Sequence, residues 1–173
     1  MAAISIQILN GLTLAMLLFL LASGLSIIFG LMRIINLAHG SFYLLGGYIG
    51  LSVIALTESF WLALLLAPIA VGALGMLVQR ILLQRVQDNE LGQVLMSFGL
   101  LLIISDAALW WWGGLPQTLP RPEFLDGSYR FAGLVFPKYR LALTIAGLLV
   151  AIGLWLLIER TRIGAIIRAG VDD

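Results

Sequence analysis

The first 32 residues carry no charged side chain. Within them, positions 8–31 form an apolar stretch long enough to cross a hydrocarbon core of about 30 Å at about 1.5 Å of helix rise per residue. A cleavable signal peptide needs a basic segment ahead of a shorter apolar core; here the first positive charge, Arg33, follows the stretch, which therefore reads as a span. The same gap in charge recurs over 34–57, where only a cluster around His39 interrupts it, over 59–79, over 91–112 with a single acid at Asp106, and over 141–158. Five membrane helices are predicted, at about 8–31, 41–57, 59–79, 91–112 and 141–158.

Composition agrees: 61% of residues are hydrophobic and 11% charged, against about 45–50% and about 25% in soluble domains. A water-soluble domain and a disordered segment are excluded. With a formal net charge of +1 and no basic block, no nucleic-acid partner is expected. The absence of cysteine removes disulfides and thiolate chemistry, and a single histidine cannot assemble a zinc site, so neither metal nor cofactor is expected.

Between the fourth and fifth spans, residues 113–140 hold Pro116, Pro120, Pro122 and Pro137 and cannot continue a helix. They read as an extramembrane loop, with a short hairpin at 129–136 around Ala132-Gly133. Arg33, Arg80, Arg85, Arg160, Arg162 and Arg168 fall on one side of the membrane, and Arg121, Arg130, Lys138 and Arg140 on the other. The first set lies in the shorter loops, so the positive-inside rule places it in the cytoplasm, with the N-terminus and the proline-rich loop outside. Trp61, Trp110, Trp111 and Trp112 then gather near the outer face as an aromatic belt.

The stretch from Arg33 to Ser41 sets an amide (Asn36), an imidazole (His39) and a glycine (Gly40) between two apolar runs. It reads either as a turn capped by Asn36 or Ser41, or as a broken, re-entrant start to the second span. Gly46 and Gly50 make a GxxxG step beside Gly47, the pattern of close helix packing or of a glycine-lined path. Asp106 reads as a side chain reaching the headgroups or as a substrate or proton group. Catalytic motifs are absent; an intramembrane serine protease has only His39 and a serine such as Ser97 to draw on, with no strained nucleophile turn. The tail, 159–173, sets Ile163, Ile166 and Ile167 at helical spacing and reads as an amphipathic helix.

Three segments together resemble the permease subunits of ABC importers for branched-chain amino acids and their urea and amide relatives. They are Asn10-Gly11-Leu12-Thr13, then Arg33-Ile34-Ile35-Asn36-Leu37-Ala38-His39-Gly40 with Phe42-Tyr43-Leu44-Leu45-Gly46, and Glu159-Arg160-Thr161-Arg162-Ile163-Gly164 with Arg168-Ala169. The resemblance implies an all-α, multi-pass subunit of a bacterial inner membrane, surrounded by lipid, that is not itself an enzyme. Its implied partners are a second permease subunit, two cytoplasmic ATPase subunits that hydrolyse ATP, and a periplasmic substrate-binding protein. The residues marked for the translocation path or the helix break are Asn36, His39, Gly40, Ser41, Tyr43, Gly46, Gly47 and Gly50. Those marked for coupling to the ATPases are Arg162, Gly164, Arg168, Ala169 and Asp173.

Family members often carry an acid just after the His-Gly pair, where this chain has Ser41, so no charged role is carried onto that position. They also continue into a second set of spans. The chain is therefore expected to be an N-terminal portion, with a transmembrane bundle over 1–158 and a coupling segment that starts at 159–173 and is cut short. Such a portion supplies one wall of a path and is expected not to transport alone. The alternative reading is a membrane scaffold or assembly subunit with no pathway of its own.

Overall fold

A computed structural model of the chain describes residues 2–32, 35–131, 134–162, 164 and 165. Five helices are long and apolar enough to cross a membrane: α1 (Ala2–Met32), α2 (His39–Thr57), α3 (Phe60–Ile81), α4 (Glu90–Trp112) and α5 (Lys138–Arg160). The described residues divide into two compact units, one formed by Met1–Arg33 with Pro122–Asp173 and the other by Ile34–Arg121.

In the first unit α1 and α5 run parallel. Thr13 and Thr144 share a hydrogen bond between their hydroxyls at 3.0 Å, one turn on from the Arg140 guanidinium, which donates to the Asn10 side chain. A further turn along, a Cβ built on Gly147 would sit 2.7 Å from the Cβ of Met16, so only glycine allows the two backbones this approach. At the start of α5 the loop forms two strands, β1 (Ser128–Phe131) and β2 (Leu134–Pro137). They pair antiparallel, with Tyr129 opposite Phe136 and Arg130 opposite Val135. The hairpin stands where sequence predicts it, around Ala132 and Gly133, which lie outside the described residues. Phe136 is buried, and β2 packs on both α1 and α5.

In the second unit α2 and α3 are joined by only Glu58 and Ser59. Glu58 takes a left-handed conformation (φ 53°), its N–H donating back to the Ile54 carbonyl, and the Ser59 hydroxyl caps α3 by accepting from the Leu62 N–H. The connection is too short for anything but an antiparallel pair. The GxxxG step faces α3: a Cβ on Gly50 would lie 3.8 Å from the Ala67 Cβ, and one on Gly46 would lie 3.7 Å from Val71 Cγ2. A 3-10 turn (Leu83–Val86) leads to α4, which Asn89 caps by accepting the Gly92 N–H at 2.9 Å. The core of this unit holds Ala38, Phe42, Val78 and Leu83, with Met96, Leu100 and Ile104 of α4 packed against it.

Candidate functional site

The polar stretch ahead of α2 is an ordered turn. Asn36 Oδ1 accepts from the Ala38 N–H at 3.0 Å, and its carbonyl accepts from the His39 N–H at 3.3 Å. The asparagine thus closes an Asx turn that feeds the helix. The helix starts at His39, earlier than position 41, because that turn already satisfies the amides ahead of it. Neither Asn36 nor Ser41 is the N-cap: Ala38 holds that position with no side-chain cap. Ser41 lies buried within the first turn, its hydroxyl donating to the Ala38 carbonyl at 2.8 Å.

The turn is gripped from α4 by two side chains one helical turn apart. Gln93, 1% exposed, accepts the Ile35 N–H through Oε1 at 3.1 Å and donates from Nε2 to the Gln87 carbonyl at 2.7 Å. Ser97, 0% exposed, donates from its hydroxyl between the carbonyls of Ile35 (3.2 Å) and Val94 (3.1 Å). Both backbone groups of Ile35 are therefore held by one face of α4. Among the described residues no buried side-chain polar atom lacks a hydrogen-bond partner. A break in helical backbone within a membrane is stable only if its freed groups find such partners.

The marked residues of α2 differ in packing. Ser41 and Gly50 are buried, and Gly46 and Gly50 approach α3. Gly40 and Gly47 lie on the adjoining stripe with Leu44 and Leu51, bordered by Tyr43; Gly40, Tyr43 and Gly47 are exposed, and nothing lies within 4 Å of a Cβ built on Gly40 or Gly47. His39, half-buried, opens the helix beside them.

Sequence reasoning missed Gln93 altogether and considered Ser97 only as a nucleophile; its hydroxyl is committed to backbone carbonyls. A legible signal existed, since Gln93 and Ser97 are polar residues at i, i+4 on an otherwise apolar helix. It missed a second contact as well. Trp112 leaves its neighbours Trp110 and Trp111 exposed and stacks on Tyr48 (centroids 5.0 Å apart, planes at 18°), donating its indole N–H to Ser52 Oγ at 2.8 Å. Asp106 stands on the exposed side of α4, about half a turn round from Ser97, and has no part in this site.

Of the residues marked for coupling, Arg162 is exposed just past α5. Gly164 is buried there, its N–H donating to the Thr161 hydroxyl at 3.1 Å, and a Cβ on it would lie 2.0 Å from the Ile158 carbonyl oxygen. Arg168, Ala169 and Asp173, and most of the expected amphipathic helix, lie outside the described residues.

Residues 7–173 match the family described as "Branched-chain amino acid transport system / permease component". The chain belongs to that permease family. It is 26% identical over 180 residues to the high-affinity branched-chain amino acid transport system permease protein BraD of Pseudomonas aeruginosa, covering 96% of this chain and 59% of the relative. It is 24% identical to the LivH permeases of Salmonella typhimurium and Escherichia coli, covering 96% of this chain and 58% of each. The chain thus spans a little under three-fifths of the length of these curated relatives. No solved structure matches it. Its family and its five membrane-length helices make it a multi-pass membrane protein.

Proposed function

We propose that the chain is part of the permease of a bacterial inner-membrane ABC importer for branched-chain amino acids. It contributes one wall of the translocation path, while partner ATPases hydrolyse the ATP. A second permease subunit and a periplasmic binding protein complete the assembly. The N-terminus and the loop at 113–140 face outward, and the segment after Arg160 faces the cytoplasm and the ATPases.

The observation that carries this reading is the division of α2. One face is buried on α3 through Gly46 and Gly50, and the start of the helix is fixed by Gln93 and Ser97. The adjoining stripe, with Gly40, Tyr43 and Gly47, is exposed. A rigid helix with one free, glycine-interrupted face suits a path wall, since broken or glycine-bearing helices are where transporters place solute contacts. The family match over 7–173 supports the solute class through the names of the relatives.

The test is ATP-driven, binding-protein-dependent uptake of L-leucine into vesicles, with the chain present or deleted. Deletion is expected to abolish uptake together with stimulation of the ATPases by the loaded binding protein. A scaffold subunit gives a different result: both activities persist in whatever complex still assembles.

A further inference from the structure

α2 has 19 residues and is about 28 Å long, close to the full hydrocarbon thickness, and Gly47 lies at its middle. The chain that leaves α4 does not turn away from this level. Trp112 docks on Tyr48 and Ser52, Gly113 reverses direction with φ 81°, and the irregular segment that follows runs back along α2 until Leu119 Cδ2 lies 4.0 Å from the position of a Cβ on Gly50. Gln117 and Leu119 of this segment, with Leu44, Gly47, Tyr48 and Leu51 of α2, line a cleft of about 170 Å³. Irregular backbone at membrane depth has unpaired polar groups and persists only against protein or a water-filled cavity.

The lining restricts what enters. No charged residue contributes to it, three leucines and a tyrosine ring make it mostly apolar, and Gln117 adds one amide. The cleft has room for a single aliphatic side chain.

We propose that residues 113–121 form a re-entrant strap that, with α2, lines a water-accessible site open to the outer side, where the aliphatic side chain of a small zwitterionic solute lodges against Leu44, Gly47 and Leu119 beside the Gln117 amide. The inference rests on the permease reading and deepens it.

The 173 residues contain no cysteine, so an introduced thiol is unique within them. Gly47→Cys fits, because a Cβ there meets nothing within 4 Å. Gln117→Cys reports the strap, and Leu102→Cys, on the exposed side of α4, serves as a lipid-facing control. Each variant is made in the complete importer and treated on intact cells with a membrane-impermeant maleimide. Gly47→Cys and Gln117→Cys are expected to react while Leu102→Cys does not. L-leucine at ten times its half-saturating concentration is expected to slow the reaction at Gly47→Cys about tenfold, and L-glutamate to leave it unchanged.

Assembly of each variant with the other importer subunits, and an unfolding midpoint in detergent unchanged from the unsubstituted complex, report that it is folded. If the complex assembles but Gly47→Cys is as inert as Leu102→Cys, the cleft is filled by protein or lipid and the inference falls. If Gly47→Cys reacts at the same rate with and without L-leucine, water reaches it but the solute does not, and the inference again falls while the permease reading stands. An importer with the unsubstituted chain that takes up no L-leucine, together with unprotected Gly47→Cys, overturns both.

Discussion

At the scale of single residues, Gln93 has more to lose than any glycine of α2. Replacing it by leucine preserves size but orphans the Ile35 N–H and the Gln87 carbonyl, each at a cost of about 1–3 kcal/mol. Ser97→Ala leaves only the Ile35 carbonyl short of one partner, and the expected loss is about 1 kcal/mol. Unfolding of the two variants in mixed detergent micelles measures both, and because both side chains grip Ile35 the double variant is expected to lose less than the sum. Equal losses for Gln93→Leu and Ser97→Ala contradict the two-bond role of Gln93. The polar break before α2 was legible in Asn36 and His39, since such groups must be satisfied in a bilayer. Its partners were not, because they lie about 60 residues away in sequence and only the packing of α4 brings them to it.

Helix pairing turns on places where a side chain has no room. In the first unit Gly147→Leu forces α1 and α5 apart against Met16, with an expected loss of about 1–3 kcal/mol; thermal unfolding of the detergent-solubilised protein reads it, and an unchanged midpoint refutes the close approach. Gly164→Ala is expected to open the turn after α5, because its Cβ collides with the Ile158 carbonyl, which is backbone and cannot swing aside. The accompanying loss of binding-protein-stimulated ATPase activity, with the complex still assembled, is the expected sign that this turn transmits coupling. The helices themselves were readable from gaps in charge, and the hairpin from the Ala132-Gly133 pair within 129–136. Gly147 was not singled out, since nothing around it in sequence distinguishes a glycine at a crossing from the many others in apolar helices.

For the whole molecule, the excess of arginine in the short loops near Arg80, Arg85 and Arg160 predicts one orientation. A protease site inserted after Asp126, in the loop before the hairpin, is expected to be cut from outside intact spheroplasts, and one inserted after Gln87 only after lysis; the reverse pattern inverts the topology. By itself the sequence determined a multi-pass chain with five membrane-length helices, because long uncharged stretches satisfy their backbone in lipid by forming helices. It also carried the family, through Asn36, His39 and Gly40 and the segments flanking them. Which residues of α2 pack on α3, that Gln93 and Ser97 hold Ile35, and that the chain after Trp112 runs back beside Gly47 were decided by tertiary structure alone. Each depends on surfaces that are apolar on every side in sequence, where the hydrophobic pattern is uniform and only close contact between backbones tells one face from another.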